Sequence, residues 1–367
     1  MSKAKTTNML TTYNVIWKKD DDKKKKDANE KNKKELLNNE KENVIENNKD
    51  INTPLSEYEQ LINDVEDLIE EEQINETEKL YKESRPPNEK FNKKNKLSIT
   101  DLSAQLWCEQ QLELVLTTGK KRETEAMRLG IERHEVLEKA DHLIIDVEVS
   151  TREESLGYRL LNTIILLQQL YETKKAREVW VFGIIRNYVL RGIIDELRIE
   201  YDNVSGREYL IISDTKTRKE KKEPSLAQKK TSAIQVQTYC LLLQYLRNNK
   251  ADYVKLFEIY ECDPNYEFTA IDLIKYKNLT ILAKHVNDLF IKLPRIKEEM
   301  EIVYEHQGKE FARNYIPYFF HSTLYTINIL LDYWDGKRSS EVVEASDKWK
   351  CRFCDFVKNC VRCPLDT

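Results

Sequence analysis

Glycine and proline are scarce in this chain of 367 residues, at eight each, and methionine is scarcer at four. None of the eight glycines builds a Gly-x4-Gly-Lys-Ser/Thr loop or a Gly-x-Gly-x-x-Gly turn, so the chain carries no ATP motor and no dinucleotide fingerprint. No apolar run approaches the roughly 20 residues that a helix needs to cross a bilayer, which excludes a membrane protein of that kind. Neither sign of charge dominates. The formal net charge of −4 gives no global field that marks a nucleic-acid binder. No secretory signal is apparent, so the seven cysteines argue for metal ligation rather than disulfides and for an intracellular protein. No internal repeat is visible.

What the chain does have is charge, unevenly placed. Charged residues make up 34%, and the mean hydropathy is −0.67. Much of the excess lies between Lys18 and Asn95, in tracts of Lys, Asn, Asp and Glu such as residues 20–26. That composition offers too little apolar surface to offset ordering entropy. Residues 1–96 are therefore expected to be a low-complexity, mostly disordered extension, with short helical pieces over 55–74. Residues 1–19 lack acids and carry Lys and Thr, as organelle presequences do, but contain no Arg. The folded domain is expected over 97–367, about 270 residues, enough for one sizeable core.

Within it, Ser98-Ile-Thr-Asp101 reads as an N-cap, followed by a helix over 102–116 with Cys108 mid-helix. Further helices are expected over 124–139, 156–171, 231–246 and 271–293. Strands are expected over 143–149, 178–189, 193–201, 208–216 and 253–260. Strands set among long helices give an α/β domain.

Two constellations carry chemistry. The first is Gly192-Ile-Ile-Asp195 followed by Asp214-Thr-Lys216. Residues two apart on a strand share a face, so Asp214 and Lys216 point the same way. The segment 202–207 looks like a hairpin loop. If Tyr201 pairs with Glu208, the same register sets Asp195 across from Asp214, with Cβ atoms about 5 Å apart. Two carboxylates that close, flanked by Ile193-Ile194 and Leu210-Ile211-Ile212, repel unless a cation lies between them. Oxygen ligands with open positions suit Mg²⁺ or Mn²⁺. The alternative is a salt-bridged edge hairpin; the apolar flanks and the shared register count against it. Downstream, Gln235 and Tyr239 lie one helical turn apart on one face. The basic loop 217–230 follows Lys216 directly, and suits either solvation or contact with a phosphate backbone. The second constellation is Cys351-x2-Cys354-x5-Cys360, three thiolates that need a fourth ligand. Cys108, beside Trp107, can supply it. Such a centre would close a loop of some 240 residues and remove roughly 5 kcal/mol of entropy from the unfolded chain. Cys363 is a weaker alternative to Cys360, and Cys240 and Cys262 read as buried thiols. Four cysteines suit zinc as well as iron–sulfur.

Gly-x-x-Asp195-x-Leu, Asp214-x-Lys216 and Gln235-x3-Tyr239 together resemble the PD-(D/E)xK nuclease core in its RecB-type form. With Cys108 and the terminal cysteines the chain resembles the iron–sulfur nucleases of that group, and among them the exonuclease V family, over residues 97–363. The resemblance implies a restriction-endonuclease-like α/β core with extra helices, closed by a four-iron four-sulfur cluster on Cys108, Cys351, Cys354 and Cys360. It implies His134, Asp195 and Asp214 as ligands of Mg²⁺ or Mn²⁺, Lys216 as the catalytic lysine, and Gln235 and Tyr239 as supporting residues. Many members have Glu where this chain has Asp214. The activity implied is hydrolysis of single-stranded DNA by a monomeric exonuclease in genome maintenance. Its partners would be a single-strand-binding protein or a separate helicase, in the nucleus or the mitochondrion. The rival reading is a non-catalytic, zinc-bound nucleic-acid adaptor.

Overall fold

The computed structural model describes residues 10–17, 85–119 and 125–365. Nearly all of them, residues 10–16 and 86–365, belong to one compact unit. The helical pieces expected over 55–74 lie outside the described residues.

The unit is built on a seven-stranded mixed sheet. Its longest strand, β5 (Tyr188–Asp202), follows β4 (Lys175–Ile185) through a tight reversal at Arg186, whose φ of 55° lies in the left-handed region. The single strand expected over 178–189 is therefore a hairpin whose second strand, β5, begins at Tyr188. β4 covers one edge of β5 over most of its length. The other edge is shared. β6 (Arg207–Thr217) pairs with it antiparallel from Asp202↔Arg207 to Glu196↔Ser213, and β2 (Lys96–Ser98) pairs parallel with Val189–Arg191. Between these partners residues 192–195 have no strand beside them on that edge. β6 continues against β8 (Glu299–His306), which pairs with β9 (Lys309–Pro317), and the two-residue β7 (Arg295–Ile296) adds to β6.

Helices cover the sheet on both faces, as the runs of buried residues demand: Val179 to Phe182 on β4 and Leu210 to Asp214 on β6 are all at most 4% exposed. Among the described residues α1 is Pro87–Lys90. Ser98 caps α2 (Ile99–Ser103) in a reciprocal box with Asp101. A 3-10 turn then intervenes, and the chain re-enters helix at α3 (Glu109–Thr118), with Cys108 as its extended N-cap. The helix expected over 102–116 is thus two helices, and Cys108 sits at a helix start rather than mid-helix. α4 (Glu125–Asp141) leads into β3 (His142–Val149), and α5 (Arg152–Thr173) precedes β4. After β6 come α6 (Leu226–Arg247) and α7 (Tyr253–Tyr260). α7 occupies residues expected to be a strand. The Asp252 side chain accepts the Lys255 N–H and caps a turn, and the Tyr253 and Phe257 rings meet at a tilt one turn apart, so capping and burial outweigh the β-propensity of an aromatic run. The helix expected over 271–293 starts late, at α8 (Leu279–Ile291), because Asn278 caps it after a 3-10 turn at Ile274–Tyr276. α9 (Phe320–Trp334) precedes the cysteine-rich end.

β1 (Leu10–Trp17) lies in the segment expected to be outside the folded part, yet it pairs with β3 in a separate two-stranded sheet. Asn162 on α5 brackets the Tyr13 backbone, accepting its N–H at 3.0 Å and donating to its carbonyl at 2.8 Å. A strand whose partner is some 130 residues away leaves no local trace in the sequence.

Candidate active site and thiol cluster

β5 and β6 part where the acids sit. The ladder's last pair is Glu196↔Ser213, and at the next step Asp195 faces Asp214, the register expected from the hairpin loop. The Thr215 N–H donates to Asp195 Oδ2 at 2.7 Å, a side-chain bond where the ladder stops. Asp214 is 1% exposed, and among the described residues no donor reaches its Oδ1. Its only ion-pair partner among the described residues is Lys216 Nζ, 2.8 Å from Oδ2. A buried carboxylate with one oxygen left without a donor is costly, and this one lies against a second acid.

Lys216 is held from α6. Its ammonium donates to Gln235 Oε1 at 3.0 Å, and Gln235 Nε2 donates to the Tyr239 hydroxyl at 3.0 Å. Lysine has no acceptor, so this contact fixes which way the Gln235 amide faces. The Tyr239 ring in turn rests on Gly192, where a Cβ would come within 2.5 Å of its Cε1. Only a residue without a side chain lets α6 approach the sheet this closely. Burial alone would lower the Lys216 pKa, but the carboxylates of Asp214 and Asp195 outweigh it and hold it above its ordinary value. Burial, then the charge of Asp214, pushes Asp195 up to about 7, against the pull of Lys216 and His134.

His134, on α4, brings its Nε2 to 3.8 Å from Asp195 Oδ2. Its Nδ1 meets Glu178 Oε1 at 3.3 Å. That hydrogen bond raises the imidazole pKa, against burial and with help from Asp195. Glu178 is a residue that sequence reasoning passed over. It lies on β4 between the pairs Arg177↔Glu196 and Val179↔Ile194, across from Asp195, with φ +56°. A left-handed glutamate inside a strand costs about 1–3 kcal/mol. His134, Glu178 and Asp195 offer ligand atoms that all lie within 4.8 Å of one another, a group that could hold a metal ion. Glu138, one turn along α4 from His134, has its pKa raised by burial and then by Glu178. Nothing in the sequence separates Glu178 from the chain's other acids. Its signal is the reversed φ, which only the fold reveals.

Two residues beyond Lys216, the Arg218 guanidinium lies 5.4 Å from the centroid of the Tyr304 ring and has no ion-pair partner among the described residues. Burial lowers its pKa. A cavity of about 530 Å³ lies elsewhere, between the β5–β6 hairpin and residues 295–298. It lacks any such convergence of His, carboxylate and amine, so chemistry rather than volume places the site at the fork.

The thiols gather at the N-terminus of α3. The Gln111 N–H donates to Cys108 Sγ at 3.4 Å, and Gln111 Nε2 reaches Cys354 Sγ at 3.5 Å. Burial raises the Cys108 thiol, with Cys354 and Cys360 close enough to add to it. Burial also pushes Cys351 up to about 11, with the neighbouring Cys363 next in effect and Cys108 and Cys354 adding to it. The four cysteines expected to share a centre are thus neighbours, and buried Cys363 makes a fifth. Protein contacts join the same segments: Arg338 pairs in a fork with Glu109, Glu341 O accepts the Gln110 N–H, and Lys350 donates to Trp107 O while lying over its ring. Cys240 and Cys262 are buried elsewhere.

Known proteins are similar to this chain over much of its length. The family model described as "Exonuclease V - a 5' deoxyribonuclease" matches residues 86–208, 200–273 and 270–362. Exonuclease V of Danio rerio is 28% identical over 302 residues, covering 77% of this chain and 73% of that protein. An uncharacterized protein, ORF95, of Ostreid herpesvirus 1 (isolate France) is 36% identical over 73 residues, 20% of this chain and 24% of its own length. Among solved structures, the crystal structure of SSO0001 aligns with a TM-score of 0.34 at 14% identity, over 73% of this chain and 86% of that one. The chain belongs to the exonuclease V family and is a DNA exonuclease, a hydrolase of phosphodiester bonds.

Proposed function

We propose that this exonuclease is metal-dependent and digests single-stranded DNA through a PD-(D/E)xK centre at the β5–β6 fork. The observation that carries the reading is Asp214: a buried carboxylate whose Oδ2 meets only the Lys216 ammonium and whose Oδ1 has no donor among the described residues, facing a second acid. A divalent cation satisfies that arrangement, and the donor set of two carboxylates and an imidazole suits Mg²⁺ or Mn²⁺. Asp195, Asp214 and His134 would hold it. When bound, it supplies an acidified water and charge neutralisation at the phosphate. Lys216, kept charged by the two acids and aimed by Gln235 and Tyr239, would orient the attacking water or stabilise charge growing on the scissile phosphate. Arg218, with no acid partner among the described residues, would take a neighbouring phosphate, and the basic loop 217–230 would follow the backbone.

Cys108, Cys351, Cys354 and Cys360 would bind a four-iron four-sulfur cluster as a structural staple, since protein ligands fill every external position. A zinc ion with bonds of about 2.3 Å would draw its sulfurs to within about 4 Å of one another. A protein purified without air should be brown if the centre is iron–sulfur and colourless if it is zinc. The family's description as a 5′ deoxyribonuclease favours digestion from 5′ ends. Genome maintenance in the nucleus or the mitochondrion, beside a single-strand-binding protein or a helicase, completes the reading.

The test is digestion of end-labelled single-stranded DNA, blocked in turn at each end, with and without Mg²⁺. Asp214→Asn should abolish cleavage while DNA binding persists. Near wild-type cleavage by that variant would remove the fork from the chemistry.

A further inference from the structure

We propose that Glu178 is a positioning residue, fixing the tautomer and aim of His134 toward the cation that Asp195 and Asp214 would hold; the inference rests on the metal-dependent reading above. An ionised carboxylate can only accept hydrogen bonds. The 3.3 Å contact between Glu178 Oε1 and His134 Nδ1 therefore places a proton on Nδ1. In a neutral imidazole the lone pair is then on Nε2, the nitrogen that faces Asp195 Oδ2 at 3.8 Å. That separation is too long for a hydrogen bond. It suits two groups that close on one ion, whose adjacent ligands sit about 3 Å apart at bond lengths near 2.1 Å. A carboxylate that orients a ligating histidine from its far nitrogen raises ligand basicity and holds the ring still.

Two further observations bear on this. Asp214, 1% exposed with Oδ1 lacking any donor among the described residues and a second acid beside it, independently marks a place for a cation. Glu178 reaches His134 with φ +56°, in a strand whose flanking pairs, Arg177↔Glu196 and Val179↔Ile194, keep their register. His134 rides on α4, outside the sheet. A rigid sheet residue that grips its ring ties that helix to the carboxylates at the required distance.

The experiment is Mn²⁺ titration of the full-length protein with its thiol centre intact, followed by calorimetry and by the electron paramagnetic resonance of the free ion. Glu178→Ala should weaken Mn²⁺ binding by about 10–100-fold. Glu178→Gln, whose amide oxygen can still accept the Nδ1 proton, should retain most of the affinity. Because Glu178 acts through the histidine, Glu178→Ala combined with His134→Ala should bind no more weakly than His134→Ala alone. Additive losses would make Glu178 a direct ligand and overturn the proposal. Unchanged affinity in Glu178→Ala would reduce the contact to a structural ion pair and overturn it as well. Glu178→Gly guards against misfolding, since glycine adopts this φ freely. It should melt no lower than wild type in the absence of metal and lose Mn²⁺ as Glu178→Ala does. Recovery of affinity in the glycine variant would trace the alanine effect to strain and defeat the proposal. Full Mn²⁺ affinity in both Asp195→Asn and Asp214→Asn would instead defeat the metal reading beneath it.

Discussion

The Tyr239 ring lies on Gly192 so closely that a methyl group there would sit 2.5 Å from Cε1, and 2.7 Å from Ile99 Cδ1 on its other side. The contact links a strand glycine to the proposed catalytic face, because Tyr239 hydrogen-bonds Gln235 and Gln235 hydrogen-bonds Lys216. Gly192→Ala should therefore cost about 1–3 kcal/mol by overpacking and lower Tm by several degrees. It should also slow Mg²⁺-dependent cleavage, because α6 must move outward. Adding Tyr239→Leu should restore Tm but not the rate. Thermal melts alongside single-turnover rates make the check, and a Gly192→Ala variant with wild-type Tm would refute the packing argument.

Metal-free stability should depend on Asp195. Burial and the charge of Asp214 push its pKa up to about 7, above the ordinary carboxylate value of 3.8, so ionisation is harder in the folded state than in the unfolded one. Stability on this account is fully present below about pH 4 and is lost as pH rises through 7. Asp195→Asn cannot ionise. With a chelator present it should melt several degrees above wild type at pH 8 and match it near pH 4. Excess Mg²⁺ at pH 8 should reverse the order by stabilising only the wild type. A variant that melts lower than wild type at pH 8 without metal would contradict the burial argument.

The staple and the chemistry should separate. Cys351→Ala removes one of the proposed cluster ligands, so iron content and melting temperature should fall together. Cys262→Ala, buried far from Cys108, should keep its full iron complement. Iron analysis and visible absorbance near about 400 nm provide the readouts. Full iron in the Cys351 variant would defeat the four-cysteine centre, although Arg338–Glu109 and Lys350–Trp107 could still hold the segments together.

Lysines near the site should divide by role. Lys216→Ala should cut the single-turnover rate by orders of magnitude with little change in affinity for single-stranded DNA, since its charge acts mainly in the transition state. Neutralising Lys221, Lys222, Lys229 and Lys230 together should weaken binding and flatten its salt dependence at a near-normal saturated rate. Arg218→Ala should remove about one phosphate contact, reducing the salt slope by about 0.7. Rates and affinities at two salt concentrations distinguish the three variants. A Lys216→Ala variant that lost affinity alone would make Lys216 a docking residue.

The sequence was sufficient wherever short-range chemistry dictates structure. Ser98 and Asp101 form the capping box their spacing requires. The short loop between Asp202 and Arg207 fixes the β5–β6 register, and with it the opposition of Asp195 and Asp214, because a hairpin with a defined turn has only one alignment that buries Ile194 and Leu197 along with Leu210, Ile211 and Ile212. Gln235 and Tyr239 share a helix face at any register.

Long-range pairing was decided by the tertiary structure alone. Residues 10–17 become a strand only because β3 offers an edge and Asn162 binds the Tyr13 backbone. Residues 253–260 become a helix because Asp252 caps them and the core takes Leu256 and Phe257. Glu178 gains its place from a reversed φ, and that strain persists because the surrounding β4–β5 pairs hold their register on either side. Residue type and spacing set which groups can act. Which of them meet depends on how strands and helices distant in sequence bury one another, and no local pattern encodes that.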